Sequence, residues 1–156
     1  MYARDDAVTE LAREECWTRL RSAEIGRLAT GIGRELEIFP ITFRCDGRSL
    51  FFRTSPGSKL TMMSINPWVV VEIDGFDDTG AWSVVAKGTA RYLRSAVELE
   101  VADSLDLVPW IPGERRAMVR IDVEQVTGRT FVRADRTDSG HRATAAASDQ
   151  TRSPAT

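Results

Sequence analysis

Apolar residues at Val8, Leu11, Ala12, Cys16, Trp17 and Leu20 recur at steps of three and four between charged positions, which predicts one amphipathic helix over 8–20. The period then changes. Residues 25–32 mix β-branched and small side chains with Gly26 and Gly31, a composition that favours an extended strand. Residues 36–44 and 49–54 are rich in Ile, Phe and Thr and flank Asp46-Gly47, a dipeptide of tight hairpins, so the two runs are expected to pair antiparallel. Residues 59–65 suit a short helix that stops at Asn66-Pro67, because proline disfavours the helical conformation in the residue before it. A second hairpin is expected from 68–73 and 82–93 across the Gly- and Asp-rich "DGFDDTGA". Ser95 is placed to cap a helix reaching about Leu105. Pro109 and Pro112 bracket an irregular stretch around Trp110, and 117–123 and 125–133 return to strand composition.

Six strands in hairpins with few short helices predict a mainly β (α+β) fold, an antiparallel six-stranded barrel that is closed or nearly closed. Beyond residue 133 the chain has almost no large apolar side chain to offset the entropy of ordering, so 1–133 is expected to be one domain and 134–156 a disordered tail. The chain of 156 residues is of single-domain size.

Composition mainly removes function classes. With 21 basic and 23 acidic residues the formal net charge is -2, which gives no global reason to expect nucleic acid as a partner. Cys16 and Cys45 are the two cysteines, too few and too far apart for a disulfide framework or a zinc site. No run approaches the ~20 apolar residues of a membrane span, and "MYARDDAVTE" is too polar and acidic for an export signal, so the expectation is a cytoplasmic protein away from membranes. The single histidine, His141, falls in the expected tail, which leaves no structured residue for a Ser/His/Asp or Cys/His triad. Neither a Walker lysine-serine spacing nor a dinucleotide glycine fingerprint is present. Asp74, Asp77 and Asp78 cluster without the calcium-loop spacing and are expected to form a solvated hairpin tip, so no metal site is assigned.

One connection carries more chemistry than a turn needs. In "FFRTSPGSKL" Pro56-Gly57 supplies the turn, yet Arg53, Thr54, Ser55, Ser58 and Lys59 add two cations and three hydroxyls. Strand alternation turns Arg53 out where the loop begins, Gly57 permits close backbone approach, and Lys59 lies near a helix start, where exposed N–H groups favour an anion. A planar guanidinium fork and a compact ammonium suit a terminal phosphate without a metal. On this stretch alone, a phosphate cradle and a solvated surface turn stand side by side.

In family order, "EECWTRLRSAEIGRLAT", "EIFPITFRCDGRSLFFRTSPGSKL", "WVVVEIDGFDDTGAWSVVAKGTA" and "PWIPGERRAMVRIDVEQVTGRTF" resemble the pyridoxamine 5′-phosphate oxidase-like superfamily, above all its small actinobacterial members. The resemblance spans 11–131. It implies a split β-barrel homodimer with two flavin-type sites at the interface, each built from both chains. It implies that Arg53, Thr54, Ser58 and Lys59, with Ser55 and Leu60 beside them, hold the FMN phosphate, and that Pro40, Ile41 and Thr42 lie along the isoalloxazine ring. Trp82 and Trp110 are then candidates to enclose the ring from the partner chain, and Lys87 adds charge near it. For the same residues, hairpin core and aromatic packing are the plain structural alternatives.

One departure matters. The chain lacks the arginine-rich "RLSP"-like ending of true pyridoxamine phosphate oxidases, which argues against that vitamin-oxidase activity. What the resemblance implies first is an FMN-binding, flavin reductase-like oxidoreductase acting on a small organic acceptor. A reductase using the longer deazaflavin coenzyme is an alternative, and a non-catalytic flavin or haem carrier or sensor is another, since no acid-base side chain stands out. Fold by itself does not choose among these.

Overall fold

A computed structural model describes residues 7–107 and 117–132. A short strand β1 (Val8–Glu10) precedes helix α1 (Arg13–Ser22), and β2 (Ile25–Ile32), β3 (Glu35–Asp46) and β4 (Ser49–Thr54) follow. Helix α2 (Ser58–Ile65) leads into β5 (Trp68–Phe76) and β6 (Gly80–Tyr92). Helix α3 (Ala96–Asp103) and the long strand β7 (Ala117–Val132) complete the fold. The stretch around Trp110, His141 and the expected tail over 134–156 lie outside the described residues.

Local chemistry explains the main boundaries. Gly47 takes φ 59° in the two-residue connection between β3 and β4, where Asp46 pairs with Ser49. The Ser95 hydroxyl accepts from the Glu98 N–H at 3.2 Å and caps α3 as the sequence predicts. Asn66 ends α2, and its side-chain amide donates to the Gly31 carbonyl at 2.8 Å, pinning the helix end to β2.

All seven strands join one antiparallel sheet in the order β1-β7-β4-β3-β2-β5-β6, and β6 also pairs with β7. The six-stranded barrel expected from the sequence is therefore corrected. The fold is mixed α/β, with seven strands in a ring-like sheet that is not a closed barrel. The ring is thin at the β2–β5 seam, where pairing runs only from Arg27–Glu72 to Ala29–Val70, and at β3–β4, where it stops at Phe43–Phe52.

The seventh strand was hidden by phase. Val8 is in register with the apolar positions of α1, yet its backbone and that of its neighbours fill the edge that β7 presents beyond β4. The Val132 N–H donates to the Ala7 carbonyl and the Leu11 N–H to the Gly128 carbonyl, so the helix starts only at Arg13. Likewise the two strand-like runs after residue 117 form one 16-residue strand.

Trp17 and Leu20 of α1 close the ring interior over Leu28, Phe43, Leu50, Phe52, Val69, Val71, Val84, Val119 and Ile121, all buried. Burying each large side chain of this kind stabilises the fold by about 1.5–3 kcal/mol before the entropy of ordering is counted. On the opposite face of β4, Phe51 joins Leu93, Ala102, Leu107 and Met118 in a second cluster that docks α3 outside the ring.

Candidate functional site

β3 and β4 separate just where the charged connection begins. Their register would set Thr42 opposite Arg53, but pairing ends one step earlier. From that point β3 stays with β2, pairing Thr42 with Ile25, while β4 stays with β7, pairing Arg53 with Met118 and Thr54 with Ala117. The wedge between them is a pocket of about 410 Å³. Ile25 and the run from Phe39 to Thr42 form one wall; Arg53, Thr54, Ser55, Gly57, Ser58 and Lys59 form the other.

The walls differ in chemistry. The β3 wall is apolar apart from Thr42, with Ile41 buried into the core and Pro40 exposed to the pocket side. The opposite wall carries the cations and hydroxyls. The Lys59 ammonium lies 4.3 Å from the centroid of the Phe39 ring, a cation–π contact that bridges the two walls. Arg53 is half-buried, with its side chain 28% exposed, and its guanidinium donates to Asp103 of α3. Thr54 is buried, while Gly57 precedes α2 without any side chain capping that helix start. Such a helix end, beside a lysine and an arginine, favours an anion.

The sequence profile of the pyridoxamine 5′-phosphate oxidase family matches residues 12–130. The chain belongs to the pyridoxamine 5′-phosphate oxidase-like family. Among solved structures it is similar to a putative pyridoxamine 5′-phosphate oxidase from Corynebacterium glutamicum, at 37% identity and a TM-score of 0.76 over 85% of this chain and 99% of that one. It is also similar to the FAD binding protein from Mycobacterium smegmatis, at 37% identity and a TM-score of 0.70 over 80% and 98% of the two chains. An uncharacterized protein of Mycobacterium tuberculosis is 33% identical over 85 residues, 54% of this chain and 77% of that one.

Within this family member, the pocket gathers eight of the residues singled out from the sequence: Pro40, Ile41, Thr42, Arg53, Thr54, Ser55, Ser58 and Lys59. Leu60 turns away and packs against the core. Trp82 lines a neighbouring cavity of about 650 Å³ that shares Ile25 with the first, and the Arg19 guanidinium lies 4.4 Å from its ring centroid. Lys87 is exposed on β6 between Val70 and Gln125 and lines neither cavity. Trp110 lies outside the described residues.

Sequence reasoning missed Ile25, Phe39 and Asp103. The first two were within reach, since Phe39 adjoins Pro40 and Ile25 follows from the β2–β3 register. Asp103 had no local signal, being 50 residues from its partner Arg53.

Other reactive groups lie elsewhere. Burial pushes the Cys45 thiol up to about 11, and burial also raises that of Cys16, so neither offers a thiolate near neutrality. Among the described residues no three His, Cys, Asp or Glu side chains converge as a metal site, and no helix is long and apolar enough to cross a membrane.

Proposed function

We propose that this protein is a flavin-binding, oxidoreductase-like member of its family, with FMN as the cofactor and its phosphate held by Arg53, Lys59 and the hydroxyls of Thr54, Ser55 and Ser58. The observation that carries the reading is the meeting of an apolar strand wall with a cationic, hydroxyl-rich wall in one cavity. A planar ring bearing a phosphate has those two chemistries, and a cavity of a few hundred Å³ is the usual scale for small-ligand sites. Family membership and the likeness to FAD-binding proteins from Mycobacterium smegmatis and Mesorhizobium loti support a flavin.

A bound flavin supplies the electron-transfer chemistry. The chain's own tasks are to anchor the phosphate through its two cations, to lay Pro40, Ile41 and Thr42 against the ring, and to keep water off it. A second copy completes the last task. Leu36 is 78% exposed and Ile38 70% exposed on the face of β3 that points away from the core, and Trp68 at the start of β5 is 41% exposed. Apolar side chains so placed suit burial against a partner.

A non-catalytic flavin or haem carrier is the second reading, favoured by one feature: the described lining of the pocket contains no carboxylate, histidine or cysteine to move a proton. Parallel titrations with FMN, FAD, a deazaflavin and haem, followed by reduction with a nicotinamide donor and an added acceptor, separate these readings. Saturable FMN binding with donor-dependent turnover is expected. Tight FMN binding without turnover favours the carrier, and absence of flavin binding overturns the proposal.

A further inference from the structure

Arg53 belongs to two structures at once. It lines the pocket, and its guanidinium is bonded to the carboxylate of Asp103, the last residue of α3. That helix is tied to the fold mainly through apolar contacts: Ala102 is fully buried against Phe51 and Met118, and Leu99 and Leu105 pack beside it. At its other end Glu98 pairs with Arg91. Asp103 is not needed to bury anything, since its side chain is 63% exposed, and a half-solvated ion pair of this kind adds little stability. Its effect is on charge, because it offsets one of the two cations that face the pocket.

We infer that Asp103 is a specificity-determining counter-ion that competes with an anionic ligand for Arg53, and so sets how strongly the pocket favours phosphorylated over unphosphorylated ligands. The inference rests on the phosphate-cradle reading above. Two effects of opposite sign decide its direction. Holding the guanidinium in place preorganises it, which is worth a fraction of the entropy of one long side chain. Against this, a phosphate monoester carries nearly two negative charges, and a carboxylate bonded to Arg53 both repels it and occupies guanidinium donors that it would use. The repulsion is the larger effect, and Asp103 restrains phosphate binding.

Reciprocity adds a second consequence. If Asp103 and a phosphate compete for Arg53, then phosphate binding must weaken the hold on α3 by the same factor. The helix stays docked through its apolar face while its C-terminal turn loosens, which makes α3 the element that reports an occupied pocket.

The test compares FMN with riboflavin, which lacks the phosphate, on the full chain and on Asp103→Asn, with Asp103→Glu as the conservative control and thermal unfolding to confirm folding. Asp103→Asn is expected to bind FMN about three- to tenfold more tightly at low salt, with riboflavin unchanged and the gain shrinking as salt rises. Asp103→Glu is expected to restore the parent preference. Faster amide exchange at 101–104 on adding FMN, but not riboflavin, is the matching structural signal. Unchanged or weaker FMN binding by Asp103→Asn, in a chain that still prefers FMN to riboflavin, overturns the counter-ion role and leaves the cradle standing. Equal binding of FMN and riboflavin by the parent chain removes the cradle, and the role of Asp103 with it.

Discussion

Two hairpins of this protein, β3–β4 and β5–β6, carry similar turn residues and differ in structure. Both place Asp and Gly residues between strands of Val, Ile and Phe. The β5–β6 hairpin pairs without a gap from Trp68–Thr89 to Phe76–Ala81, and its tip is a self-satisfied turn in which the Asp77 carboxylate accepts from the Thr79 and Gly80 N–H groups at 2.7 and 3.1 Å. The β3–β4 hairpin pairs only at its turn end and then opens. The β5–β6 hairpin keeps its ladder along its length, whereas past the stop in the β3–β4 hairpin β3 is paired only with β2 and β4 only with β7, and a pocket lies between their facing edges. The pocket lies where a ladder stops, and the cations and hydroxyls just past the stop line one of its walls.

Two glycines, Gly88 and Gly57, set the paired and the opened regions apart most strongly. A Cβ at Gly88, in the tightly paired β6–β7 region, would lie 2.1 Å from the Asp122 carbonyl oxygen. That atom is backbone and cannot swing aside, so Gly88→Ala is expected to destabilise the fold by about 3 kcal/mol in denaturant titration. A Cβ at Gly57, on the open side of the pocket, meets nothing within 4 Å, and Gly57→Ala is expected to stay within about 0.5 kcal/mol of the parent. Similar losses at both sites would mean that the two regions are not packed differently.

A smaller effect is expected in β2, the strand between the two hairpins. Thr30 is 4% exposed and its hydroxyl has no hydrogen-bond partner among the described residues. Replacing it with the near-isosteric valine removes an unsatisfied buried group, so Thr30→Val should stabilise by about 1 kcal/mol. A destabilised variant would show that this hydroxyl is satisfied after all.

The smallest effect concerns the paired, turn end of the β3–β4 hairpin. Asp122 of β7 accepts from the Ser49 hydroxyl at 3.1 Å and from the Arg120 guanidinium at 2.6 Å. Burial raises its pKa, but these bonds, with the charges of Arg120 and Arg91, outweigh burial and hold the carboxyl below the usual range. A depressed folded-state pKa contributes stability that is fully present above the unfolded value, about 3.9 for aspartate, and is lost as pH falls through the lower folded value. Stability should therefore decline below about pH 4, and Asp122→Asn should flatten that decline. An acid limb unchanged in the variant would take Asp122 out of the account.

Much of this was legible beforehand because the signals were local. Asp46-Gly47, Asn66-Pro67 and Ser95 each fix a boundary by short-range chemistry, and the structure places a turn, a helix end and a helix cap there. What escaped was non-local. Val8 sits in helical phase but is drawn to the open edge of β7, where it pairs with Phe131, 123 residues later in the chain, so periodicity misassigned it and the strand count with it. The pocket's residue types were readable from "PIT" and "RTSPGSK", whereas the Arg53–Asp103 pair depends on how α3 docks against Phe51 and Met118. No pattern within either segment encodes that meeting.

The central claim is that the opened hairpin holds a phosphate, and the affinity ratio of FMN to riboflavin tests it most directly. Fluorescence quenching titrations of the parent chain and of Arg53→Ala/Lys59→Ala supply it. Charge-assisted hydrogen bonds from two cations predict that the parent binds FMN at least about tenfold more tightly than riboflavin. The double variant is expected to lose that preference while keeping its fold. Equal affinities for the two flavins in the parent chain, or a preference that survives in the double variant, would contradict the account.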